Sequence, residues 1–161
     1  MKLYKTINNK IHFWETWDIN EKKGATNIGI VGEIGDYKEI KSGLFSNYRK
    51  IIQKEIDKYC ADGYEEVDIE QHYTLLIEFS VDGMGTEQDV EKRTRLQDRM
   101  NEMLGWNGLG FCDGGSIGSG TMEVCCYVID FKIAKNVIEN DLKETEFSNY
   151  LRVYDEEEQA E

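Results

Sequence analysis

The first candidate for chemistry is a glycine- and serine-rich stretch at residues 113–120, with the sequence DGGSIGSG. A phosphate-binding loop aims backbone N–H groups at the anion, normally with a helix N-terminus behind them. Here an apolar, β-rich segment follows instead, and the stretch contains no lysine of the P-loop type. The pattern therefore favours a loop that joins two strands. The alternative is a ligand or partner contact through Asp113, Gly114, Gly115 and Ser116, because permissive loops often carry sites.

Other side chains that could catalyse a reaction are scattered. Histidine occurs only as His12 and His72, which lie in predicted strands far apart in the sequence. Nucleophilic catalysis needs a base beside a serine or cysteine and a carboxylate that orients the base, and no local signature of this kind is present. We therefore expect a protein that is not an enzyme. An enzyme would require Asp113, Glu123 or a histidine to converge in a cleft with a perturbed pKa.

Four cysteines are present, at Cys60, Cys112, Cys125 and Cys126. The last two are adjacent in a predicted strand, so their side chains point to opposite faces. The chain has no Cys-x-x-Cys pair and no Cys/His cluster, so we expect no structural metal and no cofactor. Residues 1–10 lack an apolar stretch of signal-peptide length, and no apolar run is long enough for a transmembrane helix. These features predict a cytoplasmic protein with reduced thiols.

The net charge of −13 is unevenly divided along the chain. Residues 1–70 carry 11 basic and 13 acidic side chains, whereas residues 71–161 carry 8 basic and 19 acidic ones. The second half should be repelled by nucleic acids and by anionic membranes, since both bind proteins largely through lysine and arginine. A basic protein partner would instead be attracted and steered. The alternative is that the acidity serves only solubility.

The first half predicts an antiparallel sheet with one helix. Strands are expected at residues 2–5, 11–19 and 25–34, and a helix at residues 45–60 with a buried stripe that starts at Phe45. Alternation along the second strand predicts that Trp17 is in the core. The same alternation places Trp14 on the more polar face, which makes Trp14 a candidate for an exposed partner contact, because aromatic residues are enriched at interface hot spots.

The second half predicts the element order βαββαβ. Strands are expected at residues 72–81, 109–112, 121–129 and 147–154, with the glycine-rich loop at 113–120 and an acidic tail at 155–161. Thr86 and Asp130 are the expected N-caps of the two helices. This order is that of the ferredoxin-like split βαβ unit, a four-stranded antiparallel sheet with both helices on one face. The sequence thus predicts an α+β fold with domains at 1–70 and 71–161.

Residues 9–67 resemble a WGR domain. The resemblance lies in the aromatic strand at residues 13–17, in Val31-Gly32-Glu33-Ile34-Gly35 at the position of the Trp-Gly-Arg-Ile-Gly motif, and in the corner at residues 58–64. In that family the module is associated with DNA contact and interdomain signalling. Here Val31 takes the place of the motif's tryptophan and Glu33 that of its arginine. The change to Glu33 replaces a hydrogen-bond donor to DNA phosphates by a negative charge that repels them. The resemblance therefore implies the fold, with the nucleic-acid role lost.

Together these features favour a non-enzymatic protein–protein interaction module from a bacterium. The acidic second half, which is similar to ferredoxin-like domains of bacterial proteins of unknown function, would dock a basic protein. One version is an immunity or antitoxin-type protein that neutralises a cationic toxin domain. The alternative is a small-ligand-binding or sensor protein that uses the glycine-rich stretch at 113–120.

Overall fold

A computed structural model describes residues 1–157 and shows an α+β protein, which confirms the predicted class. The part of the acidic tail at residues 158–161 lies outside the described residues. The chain divides into two compact units, one made of Met1–Asp68 with Trp106–Gly108 and the other of Ile69–Gly105 with Leu109–Glu161. None of the helices within residues 1–157 is long and apolar enough to cross a membrane.

The first unit contains a four-stranded antiparallel sheet in chain order. Its elements are β1 (Lys2–Ile7), β2 (Lys10–Asn20), β3 (Lys23–Ile30), β4 (Asp36–Lys41) and then α1 (Tyr48–Ala61). The predicted strand at 25–34 ends early, because Val31–Gly35 form the turn into β4. Strand β4 was not predicted, since its four charged side chains hide the period-two pattern of a half-buried strand.

One face of this sheet packs against α1. The core there consists of Leu3, Trp14, Ile40, Tyr48, Ile52 and Tyr64. Trp14 is only 1% exposed and stacks on Tyr59 with a centroid distance of 5.2 Å, so the expectation that it is an exposed contact is wrong. The prediction that Trp17 is in the core is also wrong, because its side chain is 38% exposed. Alternation shows which side chains share a face of the strand, but it does not show which face is buried. Here Phe13 and Trp14 lie on opposite faces and both are buried.

Helix α1 begins three residues later than its apolar stripe predicts. Asn47 is the N-cap, and its side chain accepts a hydrogen bond from the backbone N–H of Arg49 at 2.9 Å. Leu44 and Phe45 precede this cap and are fully exposed, so Phe45 is not part of the buried stripe. The helix starts after this asparagine because the amide oxygen of Asn47 accepts from an N–H group of the first turn, which has no partner within the helix.

The segment Trp106–Gly108 is bound within the first unit through three successive carbonyl groups. These accept hydrogen bonds from Gly35 N–H (3.2 Å, to Trp106), Gly32 N–H (2.9 Å, to Asn107) and the Tyr4 hydroxyl (3.1 Å, to Gly108). Gly108 has a φ of +64°, and a Cβ atom there would overlap the ring of Phe13. The segment therefore covers the sheet face opposite α1 at the position of Phe13.

The second unit shows the element order β, α, β, β, α, β. Its elements are β5 (Tyr73–Ser80), α2 (Glu87–Trp106), β6 (Gly110–Gly118), β7 (Thr121–Val128), α3 (Phe131–Leu142) and β8 (Arg152–Asp155). The last residue of α2, Trp106, belongs to the first unit. The sheet order is β6-β7-β5-β8, and each neighbouring pair is antiparallel.

Both predicted helix caps of this unit are present. Thr86 and Asp89 form a reciprocal pair, in which Thr86 N–H donates to the Asp89 carboxylate at 2.8 Å and Asp89 N–H donates to the Thr86 hydroxyl at 3.3 Å. The Asp130 side chain accepts from Ile133 N–H at 2.9 Å. Each polar side chain thus satisfies a free N–H of the first helical turn.

The core of the second unit lies on one face of its sheet. Leu75, Ile77 and Phe79 of β5 point to this face and are fully buried or nearly so. Other fully buried core residues include Met122, Val124, Cys126 and Val128 of β7 and Leu96, Met100, Leu104, Ala134, Ile138 and Leu142 of the two helices. The apolar spacing of α2 predicts that Val90 belongs to the same buried stripe, but Val90 is 42% exposed.

The glycine-rich stretch at 113–120 is mostly strand, so its prediction as a loop is wrong. Strand β6 extends to Gly118, and only Ser119 and Gly120, both with positive φ, form the turn into β7. The expected hairpin between two strands is confirmed. The register shifts between Cys112 and Gly115, so that the intervening residues form a bulge. Glycines with positive φ allow this extra length inside a strand, whereas a glycine-rich sequence by itself predicts a loop.

Cys112 and Cys126 are direct partners across β6 and β7 and are joined by a disulfide. The expectation of reduced thiols is therefore wrong for this pair, while Cys60 and Cys125 are free. The spacing of 14 residues did not reveal the pairing, because the bulge in β6 sets which residues face each other. Cys125 and Cys126 do point to opposite faces, since the first is half-buried and the second fully buried.

Candidate functional site

The face of the second sheet that lies opposite its helices carries polar and aromatic side chains. We call it the open face. It is formed by Thr74, Leu76 and Glu78 of β5, by Glu123, Cys125 and Tyr127 of β7, by Arg152 and Tyr154 of β8, and by Phe111 and Ser116 of β6. These residues alternate with the core residues along each strand, which is why the pleat places them together.

Glu123 lies at the centre of a hydrogen-bond network on the open face. Its carboxylate accepts one hydrogen bond from the Tyr154 hydroxyl and another from the Ser116 hydroxyl at 2.8 Å. Burial, followed by the bond to the Glu123 carboxylate, raises the pKa of Tyr154 to about 12. The phenol therefore stays protonated at neutral pH, and the network holds the carboxylate in a fixed orientation.

Arg152 is the cation of the open face, and it is already paired. Its guanidinium donates to the Glu78 carboxylate at 2.7 Å and lies over the Tyr154 ring, 4.1 Å from the centroid. Glu78 is almost fully buried, so the pair is partly shielded from water. This arrangement combines a charge-assisted hydrogen bond with a cation–π contact.

A second group of aromatic and acidic side chains lies towards the β6 edge. The rings of Phe111 and Tyr127 are 5.5 Å apart. The pKa of Tyr127 is raised by the neighbouring Cys125 and, to a smaller extent, by the carboxylates of Asp113 and Glu156. The negative charges of both carboxylates therefore act on this part of the open face.

Cys125 is the only free thiol of the open face among the described residues. Burial raises the pKa of this thiol, and the charges of Glu156, Asp113 and Glu123 add to that effect. A thiol whose pKa is raised remains protonated at neutral pH and is a poor nucleophile. The surroundings of Cys125 therefore do not activate it for covalent catalysis.

Four of the five predicted site residues lie on β6, which is an edge strand of this sheet. Ser116 joins the Glu123 network, and Asp113 contributes to the negative potential near Tyr127. Gly114 lies in the bulge, and Gly115 passes so close to the Glu123 carbonyl that a Cβ atom would overlap it. Trp14 belongs to the first unit, where it lies in the core.

Four residues of the open face were not predicted from the sequence as site residues: Phe111, Tyr127, Arg152 and Tyr154. Tyr127 could have been found from the alternation of residues 121–128, which places every second side chain on the face away from the core. The other three depend on the bulge in β6 and on the pairing of β8 with β5, and neither register is encoded in a local pattern.

Other candidates for chemistry remain dispersed. His12 lies on β2 of the first unit, and His72 precedes β5 of the second. Within residues 1–157, no three histidine, cysteine, aspartate or glutamate side chains are placed to hold a metal ion. Comparison of the chain with protein-family models, with curated proteins and with solved structures finds no match.

Proposed function

We propose that this protein is a non-enzymatic protein-binding module that docks a basic partner on the open face of its second unit. The observation that carries the proposal is the pair of rings formed by Phe111 and Tyr127, 5.5 Å apart, beside Glu156, whose backbone N–H bonds to the carbonyl of Thr74, the strand partner of Tyr127. The charges of Asp113 and Glu156 both raise the pKa of Tyr127. Lysine and arginine side chains bind such surroundings well, because a cation gains from both the carboxylates and the face of the ring.

Arg152 provides an example of this recognition within the chain. It pairs with Glu78 and lies over the ring of Tyr154, which is the combination that a partner arginine would meet at Tyr127. Glu78 neutralises Arg152, so the negative charge of Asp113, Glu123 and Glu156 is available to the partner. The charge of residues 71–161 extends the attraction beyond the contact surface and would speed association.

The broader interpretation remains part of the proposal. An immunity or antitoxin-type role in the cytoplasm would suit an acidic protein of net charge −13 whose partner is cationic. A ferredoxin-like interpretation of the second unit is supported by its element order and by the sheet order β6-β7-β5-β8. A WGR-like first unit is supported only by an antiparallel sheet followed by a helix, and exposed Glu33 in place of the arginine argues against DNA binding.

The test is affinity co-purification from the source cells at low and high salt, with two charge-matched double variants. D113N/E156Q removes the two carboxylates that raise the pKa of Tyr127, whereas E87Q/E102Q removes two exposed carboxylates of α2. We expect the wild type and E87Q/E102Q to retain the same basic protein at low salt, and D113N/E156Q to lose it.

Equal loss in both variants would show that only net charge matters and would contradict docking on the open face. Recovery of no basic protein at low salt would also count against the proposal. In that case a thermal-shift screen of metabolites tests the alternative of a small-ligand sensor, because a bound ligand raises the melting temperature.

A further inference from the structure

The loop between β4 and α1 carries the two most exposed large apolar side chains of the described residues. Leu44 is 97% exposed and Phe45 is 103% exposed, and the next in order is Ile34 at 81%. Apolar side chains that are scattered singly over a surface need no explanation, whereas an adjacent pair at full exposure indicates a contact with something outside the chain. We call residues 43–46 the apolar tip.

Hydrogen bonds close the loop below the two apolar side chains. Gly43 N–H donates to the Ser46 carbonyl and to the Ser46 hydroxyl, both at 3.0 Å. Ser42 connects the loop to its neighbours, because its N–H donates to the Lys22 carbonyl at 2.9 Å and its hydroxyl accepts from Tyr48 N–H at 3.1 Å. Polar contacts therefore hold the base of the loop, and the two apolar side chains add no packing to the first unit.

The chain on both sides of the apolar tip is basic, although the whole protein is acidic. Residues 38–54 contain five basic side chains and one acidic side chain, Glu39, whereas the net charge of the chain is −13. The first turn of α1 contains Arg49 and Lys50 and no acidic residue. Cations at this end of a helix are unfavourable, because the N-terminal end of the helix dipole is positive. Helix stability therefore does not explain why these cations lie beside the apolar tip.

Ion pairs within the first unit neutralise only part of this positive charge. Arg49 pairs with Asp18 at 2.9 Å, and Lys41 lies 3.5 Å from a carboxylate that a second lysine also contacts. Lys50 and Lys54 are exposed on α1, and neither forms an ion pair within residues 1–157. The Lys41 side chain is itself 68% exposed. A surplus of positive charge therefore remains beside the apolar tip.

We propose that the apolar tip inserts into the interfacial region of an anionic lipid bilayer. Leu44 and Phe45 enter the boundary between headgroups and acyl chains, and Lys41 and Lys50, on either side of them, bind lipid phosphates. Apolar side chains combined with flanking cations give peripheral proteins reversible membrane binding. An apolar pocket of a partner protein would cover the two side chains but would not by itself account for the cations.

The negative charge of residues 71–161 opposes this binding and limits its strength. At about 0.1 M salt, charges more than about 10 Å from the lipid are screened, so the cations beside the apolar tip count most. We therefore expect weak and reversible binding rather than a stable anchor. The proposal is independent of the basic partner, because it concerns the first unit.

Vesicle co-sedimentation of the full chain tests the proposal. Vesicles of phosphatidylcholine with about 30% phosphatidylglycerol are compared with phosphatidylcholine alone, at about 1 mM lipid and low salt. We expect the wild type to sediment with the anionic vesicles and less with the neutral ones. L44S/F45S should lower the partition coefficient about tenfold, because it removes the apolar anchors. I34S/M84S is the matched control, since it removes two other largely exposed apolar side chains, and it should bind as the wild type does.

A tryptophan in the apolar tip separates insertion from adsorption at the surface. The emission of F45W should shift to shorter wavelength on addition of the anionic vesicles, relative to the wild type with its three tryptophans. Absence of this shift, or equal binding of the wild type and L44S/F45S, would overturn the proposal. A wild type that stays in the supernatant with both kinds of vesicle would overturn it too, and this is the result expected if a partner protein occupies the apolar tip.

Discussion

At the residue scale, Glu123 and Tyr154 define the chemistry of the open face. The Tyr154 hydroxyl donates to Glu123, while the Tyr154 ring supports the guanidinium of Arg152. A single tyrosine thus connects the fixed carboxylate to the paired cation. Its ionisation would remove the donor and place two negative charges side by side, which is why the protonated form is favoured.

Titration of Tyr154 provides the first prediction. Its folded pKa of about 12 lies above the ordinary value of 10, so the stabilising effect is complete below pH 10 and is lost as the pH rises through 12. NMR observation of the Tyr154 ring should show the late transition. In E123Q the pKa should fall, because the hydrogen bond to a charged acceptor is removed. An unchanged pKa in E123Q would mean that Glu123 does not contribute to the shift.

The two tryptophans of β2 provide the second prediction. W14A removes a fully buried ring from the core and should lower the free energy of unfolding by about 3–5 kcal/mol. W17A removes an exposed ring that contacts two other rings and should cost only about 1 kcal/mol. Urea denaturation of both variants checks the difference. Similar losses in the two variants would contradict the assignment of Trp14 to the core.

At the element scale, a few polar side chains decide where helices begin. Asn47 starts α1 after Phe45, although the apolar spacing includes Phe45 in the stripe. Thr86 and Asp89 start α2 through a reciprocal pair of hydrogen bonds. The Thr86 hydroxyl and the Thr86 N–H both donate to the Asp89 carboxylate, and these bonds lower the pKa of Asp89. The cap determines the helix boundary because it replaces bonds that the first turn lacks.

The α2 cap provides the third prediction. T86A should lower stability by about 1 kcal/mol, since it removes the hydroxyl that accepts from Asp89 N–H. T94A is the control, because Thr94 lies inside the same helix, where alanine has the higher helix propensity. Thermal unfolding should therefore show a lower melting temperature for T86A but not for T94A. A loss of stability in T94A that equals the loss in T86A would contradict a specific role for the cap.

At the scale of the whole molecule, the first unit is discontinuous in sequence. Trp106–Gly108 belongs to it, although residues on both sides of this segment belong to the second unit. The segment supplies three carbonyl acceptors, for Tyr4, Gly32 and Gly35. A domain boundary after residue 70, as predicted from the sequence, therefore leaves these three carbonyl acceptors of the first unit in the second domain.

A fragment of residues 1–70 provides the fourth prediction. Without Trp106–Gly108, the N–H groups of Gly32 and Gly35 lose their acceptors and the ring of Phe13 loses the cover of Gly108. We expect the fragment to unfold at a lower urea concentration than the same residues do in the full chain, as followed by the backbone NMR signals of β2 and β3. Equal midpoints would show that residues 1–70 fold as an independent domain.

The sequence predicted several elements well and the site only in part. Both long helices of the second unit and their caps follow from apolar spacing and from Thr86 and Asp130. Strand β4 was not predicted because its charged side chains do not show the alternation of a half-buried strand. The β6 bulge was not predicted because its glycines are typical of a loop. Of the candidate site residues, Ser116 lies in the Glu123 network and Asp113 raises the pKa of Tyr127, while Trp14 is buried in the other unit.

The sequence by itself determined the α+β class, the element order of the second half and the excess of negative charge there. These properties depend on composition and on periodicity within single segments. Only the tertiary structure decided which side of β2 is exposed, that Cys112 faces Cys126, and that Glu123, Tyr154 and Ser116 share a network. Such properties depend on strand register and on what packs above each face. Register is set by contacts between residues far apart in sequence, so no local pattern records it.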